Sequence, residues 1–340
     1  MSNRRATVLR LGSPADLIST VSPLLGFVPS ESLVVVCLHA PRGRVGLVMR
    51  FELADVAQID PFVAMLHERV NFEHADAVFV AIYTAEPTGD GDLPRAALVN
   101  AMVGRIDEVM PNAVLVSADR WWSYFDHDVI GTPLDAATPG ATSVAAAYAL
   151  AGQGVLPDRE AVIRSVALAL GETEAIDMRA RIASFEAQYA TTGRTTRQDV
   201  VAVLARRLAN QLVDPRGVIS ADDAAEFAAL CDDVVVRDQV LVTAIGTDAR
   251  EFLLPLLREM VRRVPPPHDA PACSMLAWVS YAHGDGVIAN VMVERALATN
   301  PDYAFAKLIA DALYRQVPPR LLEEVMRGAA RDLRHRSAAG

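Results

Sequence analysis

The sequence predicts an α/β (or α+β) N-terminal domain with a mixed sheet, followed by an all-α C-terminal domain that ends in a tetratricopeptide-like helical hairpin. Three observations predict it. Apolar β-branched runs alternate with amphipathic stretches up to residue 125. Past residue 140 the strand-type runs nearly vanish and helical spacing takes over. Between them, "GTPLDAATPG" (131–140) carries Pro133, Pro139 and Gly140, which break regular structure. The expected domains are residues 1–135 (α/β), 136–264 (helical) and 265–340 (the hairpin, packed on the helical domain).

Each element has its own signal. Residues 7–11, "TVLRL", have strand composition. Ser13 then offers an N-cap, Pro14 a first helical residue and Asp16 an acid for the first turn. "SLVVVCLH" (32–39) is continuously apolar, as a strand buried on both faces must be. A short turn with Gly43 separates it from "VGLVMRFEL" (45–53), which predicts an antiparallel hairpin. Pro61 is placed to start a helix over 61–72, "DAVFVAIYT" (76–84) is a second buried strand, and 95–111 is amphipathic and ended by Pro111. "AVLVSADRWWSYF" (113–125) supplies one or two more strands.

Helices are expected at 142–151, 158–170, 172–191, 196–212, 220–231, 236–246, 248–263, 270–283, 286–299, 303–315 and 319–334. Thr196, Ser220 and Asp248 are the expected starts of three of them. In "SYAHGDGVIANVMVERALATNP" (280–301), Gly284 falls where two helices must turn, and the small residues Ala277, Ala289 and Ala296 let them approach closely. With Pro301 as the break, these positions match one tetratricopeptide unit. Thirty-four residues before Gly284 stands Arg250, so the match does not repeat as an array. His283 and Asp285 alone are too few ligands for a metal.

Composition limits the function. With 52% hydrophobic and 22% charged residues, the chain has ample material for a packed core. The net charge is −10, and both parts are acidic: 10 basic against 17 acidic residues up to 135, and 22 against 25 beyond. That balance opposes nucleic-acid binding, which needs clustered cations. Cys37, Cys231 and Cys273 are scattered, without disulfide or zinc spacing, and fit a reducing cytoplasm. No signal peptide and no membrane span of about 20 apolar residues is expected. Lys307 is the only lysine; the arginine bias suggests a GC-rich genome.

Several stretches together resemble the domain-of-unknown-function family 4192 of GC-rich Gram-positive bacteria: "LLGFVPSESLVVV" (24–36), "VGLVMRFEL" (45–53), "RWWSY" (120–124) with "GTPLD" (131–135), "VRDQVL" (236–241) and residues 276–308. The resemblance covers nearly the whole chain and implies no particular activity. Family members often carry cysteines between the "SY" and "G-x-P-L" stretches; here "FDHDVI" has none, which speaks against a metal or redox centre.

Candidate chemistry is sparse. Arg50 and Glu52 share one strand face and could bind an anion, do acid–base work or form an exposed ion pair. Alternation puts Arg120, Trp122 and Tyr124 on one face, either a small-molecule site or core. His127, between two aspartates, is the best lone acid–base candidate, or else a surface-loop histidine, and Arg237 with Asp238 suggests a capping or interhelix contact. Gly26, Pro29 and Ser32 shape the turn into the first central strand, at the strand's N-terminal end, where ligands are unusual. Motifs for nucleophilic, zinc or phosphate chemistry are absent. The expected function is a non-enzymatic, cytoplasmic interaction or scaffold protein, with no cofactor, binding a protein near Trp278 and Tyr281. The alternative is an enzyme or small-molecule binder whose site lies in the α/β domain around Arg50, Glu52, Arg120, Trp122 and Tyr124. Sequence leaves the oligomeric state open.

Overall fold

A computed structural model describes residues 13–41, 43–53, 56, 58–89, 91–106, 109–126, 128, 131–134, 154–213, 217–243, 247–282, 284–315, 317, 321, 324 and 328. The strand expected at 7–11 and the helix at 142–151 lie outside them, as does most of the helix expected at 319–334. The chain divides into two compact units, Met1–Ala161 and Val162–Gly340.

The first unit opens with α1 (Pro14–Leu25). Its start is the expected capping box: Asp16 N–H donates to the Ser13 hydroxyl (3.2 Å) and Ser13 N–H to the Asp16 carboxylate (3.1 Å). Gly26 ends it at φ 77°. Then come β1 (Ser32–His39), β2 (Arg44–Glu52), α2 (Ile59–Glu73), β3 (Ala77–Tyr83), α3 (Ala96–Ile106), β4 (Asn112–Ser117), β5 (Arg120–Ser123) and β6 (Thr132–Pro133). The sheet order is β2-β1-β3-β4-β5-β6, with β3 and β4 parallel and every other pair antiparallel. The expected mixed sheet and the β1–β2 hairpin are both present.

The sheet is buried on both faces in its centre, as the apolar runs of β1 and β3 require. On one face Leu33, Val35, Val80, Ile82 and Leu115 form a core with Leu66 of α2 and Met102 of α3. The alternate residues, including Val34, Ala81 and Val114, are equally buried on the other face. That face carries α1, whose Ile18 and Ser22 line a cavity together with Tyr83 and Val116.

Among the described residues the second unit is helical. Its helices are α4 (Arg159–Ser165, which begins in the first unit), α5 (Glu172–Tyr189), α6 (Arg194–Val213), α7 (Ala221–Cys231), α8 (Val234–Thr243), α9 (Thr247–Arg263), α10 (Ala270–Ala282), α11 (Gly286–Thr299) and α12 (Ala304–Tyr314). Ser220 caps α7 as expected, accepting from Asp223 N–H (3.0 Å). Two other starts differ: α6 begins at Arg194 rather than at Thr196, and α9 at Thr247, so Thr196 and Asp248 lie inside their helices. The helix expected through 170 stops at Ser165. The carbonyls of Ser165 and Val166 accept from Arg262 (3.1 Å) and Arg295 (3.1 Å), and Ala169 N–H turns to the Arg262 carbonyl (2.7 Å). Long-range arginine contacts outweigh local helical propensity there.

Arg295 is also the partner of Asp269, which is fully buried; Nε lies 2.8 Å from Oδ2. The α10–α11 turn forms as expected. Gly284 adopts φ 84° and its N–H donates to the Tyr281 carbonyl (2.9 Å), while Ala277, Ala289 and Ala296 are fully buried. Asp285 caps α11, accepting from Ile288 N–H (3.0 Å).

Candidate functional site

The residues singled out from sequence do not converge. Arg50 and Glu52 form an ion pair (2.8 Å). Arg50 Nε also donates to the Ser32 hydroxyl (2.9 Å), and its guanidinium lies 5.5 Å from the Phe27 ring centre. Arg50 is thereby spent on bracing the segment that enters β1. The aromatic cluster divides between the two faces. Trp121 is buried on one, while Trp122 and Tyr124 pack on the core with α2 and α3. The Tyr124 hydroxyl donates to the Pro94 carbonyl (2.5 Å), and burial, aided by Glu86, pushes its pKa up. Arg120 is exposed and donates to the Gly131 carbonyl (2.5 Å). Gly131 stands at φ 56° over the Trp122 ring, where an added Cβ would sit 3.3 Å from the indole. Trp122 and Tyr124 are therefore core rather than an open cleft.

In the second unit Trp278 and Tyr281 are also interior, at 2% and 9% exposure, and the Tyr281 hydroxyl donates to the Val317 carbonyl (2.6 Å). Arg237 makes the expected interhelix contact. It is almost fully buried, pairs with Asp238, donates to the Tyr303 hydroxyl (2.7 Å) and lies 4.4 Å from the Phe305 ring centre. His127 and His283 lie outside the described residues. Among the described residues no group of three or more His, Cys, Asp or Glu side chains is placed to hold a metal. The three thiols are free and buried. Burial pushes Cys37 and Cys273 each up to about 12, with Glu73 adding to it at Cys37, and such thiols are inert.

What the first unit does contain is a cavity of about 470 Å³. It lies under α1, at the C-terminal ends of the parallel strands β3 and β4, the end at which open α/β sheets bind ligands. Its volume falls within the roughly 300–1,000 Å³ of small-molecule sites. Ile18, Val28, Pro29, Val116 and Leu134 give it a mostly apolar wall, and Ser19, Ser22 and Ser30 add hydroxyls.

Two features distinguish this cavity. Glu31 and Ala118 both line it, and both hold a positive φ (41° and 51°) that side chains other than glycine rarely adopt. Each such residue costs on the order of 1–3 kcal/mol and needs compensation. At Glu31 the compensation is visible. Its carboxylate accepts from the Thr84 hydroxyl (2.9 Å) and from Ala85 N–H (2.7 Å), and its carbonyl accepts from Leu53 N–H (2.9 Å). The second feature is Tyr83, 8% exposed, whose hydroxyl has no hydrogen-bond partner; burial pushes its pKa up and keeps it neutral.

The turn from Gly26 to Ser32 lies at the N-terminal end of β1, where ligands are unusual, but the sense of the neighbouring strands is not written in a single strand. Since β1 runs antiparallel to β3, with Ser32 opposite Tyr83, the N-terminal end of β1 lies beside the C-terminal ends of β3 and β4. Glu31, Tyr83 and Thr84 went unnoticed; the polar pair "SE" just before a long apolar run was their only trace.

A mixed six-stranded sheet with helices, followed by a helical region, defines an α/β-plus-helical protein. The chain belongs to the family described as Domain of unknown function (DUF4192), whose model matches residues 14–320. No curated protein and no solved structure matches it.

Proposed function

We propose that this protein binds a small molecule in the cavity beneath α1. The observation that carries this reading is the coincidence of a ligand-sized, mostly apolar cavity with the carboxyl ends of the parallel strands. Two strained residues on its wall support it. The site belongs to the α/β domain of the earlier alternative, but it is formed by Ile18, Glu31, Tyr83 and Thr84 rather than by the Arg120–Tyr124 aromatics.

A thermal-shift screen of the full chain against a metabolite library tests it. A ligand present at about 100 times its Kd adds about 2.7 kcal/mol to stability and gives a clear rise in Tm. Ser22→Trp fills the cavity and is expected to abolish that rise while leaving the circular dichroism spectrum unchanged. Hits whose shift survives Ser22→Trp, or a screen without hits, would sink the reading.

A protein-interaction role for the helical unit is the second reading. The buried alanines and the glycine turn of α10–α11 support a tetratricopeptide-like hairpin. Exposed Leu308 and Tyr314 on α12, rather than the interior Trp278 and Tyr281, would then meet the partner. A cytoplasmic location is supported by three free, buried cysteines. Among the described residues no helix is long and apolar enough to cross a membrane.

A further inference from the structure

We infer that the cavity takes a compact, mostly apolar molecule carrying a protonated amine, with the amine at the mouth against Glu31 and the apolar body between α1 and the ends of β3 and β4. This rests on the cavity being a ligand site, and adds its chemical class.

Charge decides the class. Among the described residues lining the cavity, Glu31 is the only charged one, and no lysine, arginine or histidine is among them. An anionic ligand would therefore meet a carboxylate, and no described residue of the lining carries a positive charge to offset it. The start of α1 disfavours an anion too, because the Ser13–Asp16 box takes up the Ser13 and Asp16 N–H groups and adds a second carboxylate there. Phosphate- and carboxylate-bearing metabolites are disfavoured on both counts.

Glu31 is also held ready for a donor. It is exposed at the mouth, while its neighbours Thr84 and Tyr83 are buried. A carboxylate has about four lone-pair positions. The Thr84 hydroxyl lies against both oxygens (3.1 and 2.9 Å) and Ala85 N–H donates to Oε1 (2.7 Å), which fixes the group and leaves acceptor capacity on it for an ammonium. The positive φ of Glu31 is the backbone cost of aiming its carboxylate this way. Below the mouth, Ile18, Val116 and Leu134 offer only apolar contact, so the rest of the ligand is expected to be hydrophobic.

The test uses three molecules of similar size: tryptamine (amine), tryptophol (alcohol) and indolepropionate (carboxylate). Binding to the full chain is measured by calorimetry and by thermal shift. Tryptamine is expected to bind about tenfold more tightly than tryptophol, as a charge-assisted hydrogen bond implies, and indolepropionate not at all. Glu31→Gln should remove tryptamine's tenfold advantage over tryptophol. In the unaltered protein, tryptamine binding should weaken as salt rises while tryptophol binding stays constant, a check that needs no variant. Tryptophol binding as tightly as tryptamine, or tryptamine binding that ignores Glu31→Gln and salt, overturns the amine inference and leaves the cavity reading intact. Failure of all three, together with a screen without hits, overturns both.

Discussion

Arg295 shows how single side chains hold the helical unit together. It reaches Asp269 Oδ2 (2.8 Å) and the carbonyls of Val166 (3.1 Å) and Val264 (3.3 Å). Two segments distant from it in sequence, one at Val166 and one spanning Val264 to Asp269, meet at one guanidinium, the geometry for which Arg suits better than Lys. Asp269 has no exposure, so removing the cation strands a buried charge. Arg295→Met is expected to cost about 3–5 kcal/mol in urea denaturation. Arg295→Met with Asp269→Leu should recover much of that loss, because the stranded carboxylate is then gone. Tyr83 should behave in the opposite way. Its hydroxyl is buried without a partner, so Tyr83→Phe removes an unmet group and should leave stability unchanged or raise it by about 1 kcal/mol. A marked fall in Tm would show that the hydroxyl is satisfied in solution.

At the scale of elements, the α10–α11 turn is the clearest case of sequence dictating structure. Gly284 supplies the left-handed residue that closes α10, and Asp285 caps α11 at the next position. Asp285 also lies 3.4 Å from Arg258. Asp285→Ala is expected to cost about 1 kcal/mol, read as a lower urea midpoint with an unchanged m-value. This turn was legible because its signals are local: a glycine, a capping acid and small residues at helical spacing. The end of α4 was not legible. Nothing near Ser165 stops a helix; Arg262, 97 residues away in sequence, bonds its carbonyl. Likewise "RWWS" announced a strand and its alternation, but only the packing of α2 and α3 against one face decides that Trp122 and Tyr124 are core.

At the scale of the whole molecule, class and order of elements were legible because they follow from hydrophobic period, which is a property of the sequence alone. The cavity was not, because it depends on which strands run parallel, a long-range property. Acidity has a molecule-wide signature as well. Burial opposes ionisation at Asp223 and Asp233, but hydrogen bonds outweigh it: from Arg207 and Ser220 at Asp223, and from Val235 N–H and Arg194 at Asp233. Both carboxyls are held below their ordinary 3.8. A depressed folded-state pKa stabilises above the unfolded value and is lost as pH falls through the folded one. The stability these two groups contribute should therefore be lost as pH falls below about 4. The double change Asp223→Asn, Asp233→Asn should lower stability at neutral pH and flatten that acid limb in pH-dependent melting curves. The reversed sense of β1 has one more consequence. It brings the four residues Val28–Glu31 to the mouth of the cavity without involving them in the Leu33–Cys37 run that holds the sheet centre. On the proposed function, part of the selectivity is thereby written outside the stretch that builds the sheet centre. Exchanging Pro29 and Ser30 should then change which compounds raise Tm while the circular dichroism spectrum stays the same.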